Sequence, residues 1–131
     1  IFAFHPITQS FAEIKGVSAV CRLLEQLPEE IQLTLCVHHA EFAGYSSVEL
    51  MQQYQGRVDM IHLKDYVLDT VGKRVLVPVG QGITPWKEII RGAESAQVKW
   101  AMIEQESWEK DAFLCAKEAY DYAVDCGLSA T

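Results

Sequence analysis

The chain has 131 residues, half of them hydrophobic, and a formal net charge of -7, which suits one domain with a real core and leaves no room for two. The acidic balance argues against a binder of nucleic-acid backbones, whose affinity rests on clustered Lys and Arg, and no apolar run approaches the roughly 20 residues of a membrane span. A strand that opens at Ile1 with no initiator Met ahead of it leads us to expect a chain cut from, or starting inside, a longer protein.

Four units follow one another, each a short apolar run and then a helical pattern, the alternation of βαβ units around a parallel sheet. The first strand spans about Ile1 to His5. Its helix runs from Val17 to Leu27 with Val20, Leu23, Leu24 and Leu27 on one face, and Pro28 closes it. The second strand, Gln32 to Val37, precedes a helix from Ser47 in which Ser46 and Glu49 have capping-box spacing, Leu50, Met51 and Tyr54 share a face, and Gly56 is the stop. The third strand, Val58 to Leu63, leads through a long polar loop to a helix with Thr84 as N-cap, Pro85 in its first turn, and Trp86, Ile89, Ile90 and Ala93 as the buried stripe. The fourth strand, Val98 to Ile103, is followed by a helix from Asp111 to Cys126, with Phe113, Ala116, Tyr120 and Val124 inward and Gly127 as the stop.

Cys21, Cys115 and Cys126 fall in these helices, Cys36 in a strand, and none has CxxC spacing. Reduced thiols of a cytoplasmic protein are the expectation, since a disulfide frame belongs to small secreted chains, and the first residues lack the charged start of a signal peptide.

Neighbouring residues of a strand point to opposite faces. Leu33, Leu35 and Val37, Ile61 and Leu63, and Ala101 and Ile103 then lie under the helices. The opposite face carries Thr34 and Cys36, Met60 and His62, and Met102 and Glu104. If Ala3 and His5 face the same way, His5, Cys36, His62 and Glu104 form a row across four strand ends, the place where parallel α/β barrels keep their chemistry.

Cys36-Val-His-His-Ala-Glu-Phe-Ala-Gly44, Gly56-Arg-Val58, His62-Leu-Lys-Asp65, Pro78-Val-Gly-Gln-Gly82 with Trp86, and Ile103-Glu-Gln-Glu106 resemble the xylose-isomerase-like sugar phosphate isomerase/epimerase family, which includes inosose dehydratases and ketose 3-epimerases. The resemblance covers nearly the whole chain and matches strands five to eight, the C-terminal half of a (β/α)8 TIM barrel whose full length is roughly 250 residues. It implies a divalent ion, commonly manganese, magnesium or cobalt, held by two glutamates, an aspartate and a histidine. His62 matches the histidine ligand and Glu104 the last glutamate, which would also act as acid/base. His39 matches a histidine that contacts substrate hydroxyls, and Lys64 the lysine of the His-x-Lys-Asp motif, on the inward face. Cys36 stands where the family has its aspartate, His5 near its first glutamate, and Gln81 where a Glu is frequent. A set containing Cys36 would favour zinc or iron over magnesium. Three alternatives remain: a Cys36 that is only a small inward-facing core residue, loss of the metal, or a weaker site with three ligands.

The implied activity is an isomerase, epimerase or dehydratase of a sugar, inositol derivative or related polyol, working by proton transfer through an enediolate. The alternative is a non-catalytic half-barrel that binds or interacts and has lost the metal; a metal-dependent endonuclease on the same barrel is disfavoured by the acidic balance. The plainer readings are a strand-end hydrogen bond for His62, a solvated carboxylate for Glu104, backbone capping for His39, a snorkelling Lys64, structural packing for His38, support of the site residues from behind or solvent exposure for Glu106, and helix packing for Phe113, Tyr120 and Tyr122. Four strands alone leave two open edges, so a homo-oligomer, or a partner supplying the N-terminal half-barrel, is expected alongside a small polyol substrate.

Overall fold

A computed structural model describes residues 2–129; Ile1, assigned above to the first strand, lies outside them. Four strands form one parallel sheet in the order β1 (Phe2–Phe4), β4 (Ile31–Cys36), β5 (Val58–Leu63), β8 (Trp100–Ile103). Helices α1 (Ala19–Gln26), α3 (Ser47–Gln53), α4 (Trp86–Ser95) and α5 (Ala112–Asp125) follow the four strands in turn. Each crossover returns the chain parallel to the preceding strand, as βαβ units require. No helix among the described residues is long and apolar enough to cross a membrane.

The core lies on the helix side of the sheet. Leu33, Leu35, Ile61 and Leu63 are fully buried against Leu24 of α1, Met51 of α3, and Trp86 and Ile89 of α4. Burying each such side chain contributes about 1.5–3 kcal/mol. Pairing fixes the other face: Phe4 opposes Leu33 and packs on the core, so Ala3 and His5 turn the opposite way, with Cys36, His62 and Met102 in one laterally paired row. Arg57 ties the layers together, donating to the carbonyls of Leu24, Pro28 and Ile31.

Several elements differ from the sequence reading. Val17 and Ser18 do not open the first helix; they form β3 (Val17–Ser18), paired with β2 (Glu13–Ile14) across a turn in which Lys15 and Gly16 have φ of 52° and 75°, the left-handed backbone that two-residue hairpins need. The second strand ends at Cys36, and Val37 begins a six-residue helix, α2 (Val37–Phe42), too short to show a period. The polar loop after β5 is a hairpin, β6 (Asp65–Leu68) and β7 (Arg74–Val77), with Asp69 Oδ1 accepting from the Val71 and Lys73 amides at its tip. Ser46 caps α3 as its spacing implied, accepting from the Glu49 amide at 3.2 Å. Thr84 does not cap α4: Pro85 is the cap residue, and the buried Thr84 hydroxyl has no partner among the described residues. The fourth strand starts at Trp100, two residues later than expected.

The face of α5 is also corrected. Cys115, Ala119 and Ala123 are buried, whereas Phe113 is 86% exposed and Tyr120 and Val124 are exposed too. The helix meets the core through these small side chains, which permit close approach, and through Tyr122, while Phe113, Leu114 and Tyr120 point away.

Candidate metal centre

Strand ends deliver the candidate residues. Cys36 is the last residue of β4, where the chain turns into α2; His62 is the laterally paired residue on β5; Glu104 follows β8, its amide donating to the Leu63 carbonyl at 3.0 Å; His5 follows β1. Because all four lie on the inner face at the C-terminal edge, one donor atom from each falls within 4.8 Å of the others. His62 Nδ1 is 2.7 Å from Glu104 Oε2, and the His5 and His62 rings are 4.8 Å apart between centroids.

These residues fit a divalent ion. Donors bound at roughly 2.0–2.3 Å in a tetrahedral site lie about 3.3–3.8 Å apart, so the four, now within 4.8 Å of one another, would close in by about 1 Å on binding. An ion held by both His62 and Glu104 would replace their hydrogen bond. The donor chemistry, two imidazoles, a thiol and a carboxylate, is that of a transition-metal site. Burial pushes the Cys36 thiol up against the pull of the His39 backbone amide, and burial together with nearby His62 lowers His5.

Lys64 is buried at the inner face, not snorkelling to solvent. Its ammonium pairs with Glu106 and stands 3.7 Å from Glu104 Oε1. Burial alone would raise the Glu106 carboxyl, but the hydrogen bond and charge of Lys64 outweigh it and hold Glu106 below the usual carboxylate range.

His39 is at the rim on α2, its Nδ1 2.8 Å from Thr8 Oγ1 and its ring 6.1 Å from that of His5. Burial, with Lys64 and His5 nearby, lowers it to about 4. His38 points into a packed cluster. Arg74 of the hairpin donates to its Nε2 at 2.9 Å and stacks over Phe42, and Tyr66 meets its ring edge-on. Since Arg can only donate, His38 Nε2 is an acceptor and the ring is neutral. Burial, then His39 and Arg74, lower it to about 4.

Sequence reasoning did not single out Asp65, which sits beside the site and is 1% exposed. Its carboxylate accepts from the amides of Tyr66, Gly80, Gly82 and Thr84 and, at 2.7 Å, from the Trp86 indole. It thereby pins the Gly80–Gly82 loop and the start of α4 next to Lys64. A Cβ at Gly82 would collide with that carboxylate. The signal was present as an Asp adjoining the His-x-Lys motif, followed by Gly-x-Gly and a Trp. Thr8 and Arg74, which hold the two α2 histidines, carried no local pattern. Two hollows of about 450 and 520 Å³ lie away from the metal candidates, one between β8, α4 and α5, the other between the hairpin and the start of α5.

No protein-family model matches the chain, and no curated protein matches it in sequence. Solved structures do. A sugar phosphate isomerase/epimerase from Parabacteroides distasonis superposes with a TM-score of 0.78 at 19% identity, over 95% of this chain and 45% of that one. A probable 3-DHS dehydratase involved in petrobactin synthesis, from Bacillus anthracis, gives 0.60 at 20% identity over 82% and 42%. A xylose isomerase domain protein from Alicyclobacillus acidocaldarius gives 0.64 at 17% identity over 82% and 41%. The chain thus spans less than half the length of the structures it matches. Its four parallel βα units have the fold of one half of a TIM barrel, like the matching halves of those structures.

Proposed function

We propose that this chain is the metal-bearing half of a divalent-metal-dependent isomerase, epimerase or dehydratase acting on a sugar, inositol derivative or related polyol. The observation that carries the reading is the convergence of His5, Cys36, His62 and Glu104 at four neighbouring strand ends. A bound divalent ion would supply an electrophile for a substrate carbonyl or hydroxyl oxygen. Glu104 is the residue we assign to move a proton: the oxygen now bonded to His62 would turn to the ion, and the other faces Lys64 across 3.7 Å. Lys64 has three N–H donors, of which Glu106 takes one and Glu104 attracts another, leaving one for a substrate oxygen. Thr8 occupies His39 Nδ1, so His39 offers Nε2 to a substrate hydroxyl. The remaining wall of the pocket would come from the other half-barrel, in the same polypeptide, a second copy or a partner.

Elemental analysis of the purified full-length protein tests this. About one ion per chain is expected, lost in His62→Ala with the circular dichroism of the fold retained. In deuterated water, a polyol-derived ketone substrate should gain deuterium next to its carbonyl, and Glu104→Gln should slow that exchange by about 10²-fold or more, the usual contribution of a positioned acid/base. Protein that carries no ion at any purity and exchanges no proton would instead be a non-catalytic half-barrel, the reading that Cys36 in place of an aspartate favours.

A further inference from the structure

Cys36 changes which ion such a site holds. Its sulfur is fully buried at the end of β4 and shares a 4.8 Å cluster with donors of His5, His62 and Glu104. Magnesium takes oxygen donors in near-octahedral geometry and keeps several waters. Here the four candidates are one sulfur, two imidazole nitrogens and one carboxylate oxygen, and thiolate with imidazole selects borderline-soft ions, zinc above all when four donors suffice. The other three cysteines lie on α1, on α5 and just after α5, outside this cluster.

Building on the reading of the site as a metal centre, we infer that it takes a thiophilic divalent ion, zinc, with Cys36 as a thiolate ligand, in preference to magnesium or manganese. On binding, the S–H bond is exchanged for a sulfur–metal bond and the proton leaves to solvent, with no change in oxidation state.

Cobalt(II), loaded into the metal-stripped full-length protein as a spectroscopic stand-in for zinc, reads the ligand directly. The expected result is an intense sulfur-to-cobalt charge-transfer band in the near ultraviolet that zinc abolishes by displacement and excess magnesium does not. Cys36→Ser should lose the band and weaken zinc binding by more than about 100-fold, because even outer-shell partners of a metal site are worth roughly 10–100-fold. Cys36→Asp should bind an ion without the band and turn the preference toward manganese. Cobalt bound to the unsubstituted protein without the band, or equal zinc affinity in Cys36→Ser, overturns the inference while leaving a metal-dependent enzyme standing. An unsubstituted protein that binds neither cobalt nor zinc overturns both. The band of the unsubstituted protein decides the matter even where a variant fails to fold.

Discussion

Asp65 holds more of the site's geometry than any of the four metal candidates does by itself, since four amides and an indole converge on its carboxylate. Removing it strands those donors in a buried place, where each unmet donor costs about 1–3 kcal/mol. Asp65→Ala should therefore destabilise the protein by about 3–5 kcal/mol in urea unfolding, the range for breaking a buried charged network, and should shift the fluorescence of Trp86. A loss below about 1 kcal/mol would mean that water replaces the carboxylate. His62, Glu104, Cys36 and His5 were legible as a row because strand alternation is a local rule. Asp65 was not, because its partners belong to a loop that returns to it only after the hairpin folds.

Among the elements, α5 shows why a helix can be found from sequence and its face still missed. Its ends were well marked, with Asp111 accepting from the Phe113 and Leu114 amides and Gly127 at φ 109°. Its facing was not, because Phe113 and Tyr120 are exposed, and the small residues Cys115, Ala119 and Ala123, with Tyr122 beside them, make the contact. Hydrophobic size alone assigns the wrong side when a helix packs closely. Ala119→Leu should then cost about 1–3 kcal/mol by overpacking, whereas Phe113→Ser should stay within about 0.5 kcal/mol; chemical denaturation of the two variants distinguishes the faces. The hairpin after β5 escaped the sequence reading for a different reason. Its turn is organised by Asp69 accepting from amides across Val71 and Lys73, not by a two-residue Asn-Gly signal.

For the molecule as a whole, the inner face of the sheet governs assembly. Trp100 and Met102 are 60% and 49% exposed on it, and β1 and β8 each have one neighbour in the sheet. Free strand edges beside uncovered apolar side chains favour pairing with another chain. Expressed alone, the 131-residue chain should scatter light as a dimer or larger species at micromolar concentration, and a stable monomer would count against a half-barrel that needs completion. The fold class was readable because four βα units repeat one pattern, while what covers the inner face was not, since a strand's partner leaves no mark in its own sequence. The sheet order has a consequence for biosynthesis. Strands β1, β4, β5 and β8 stand side by side in the order in which they are translated, so each finds its neighbour already made as it leaves the ribosome. The sheet can grow in one direction during synthesis, without an early strand waiting for a late one, and at every stage the newest strand is one of two open edges, the other being β1.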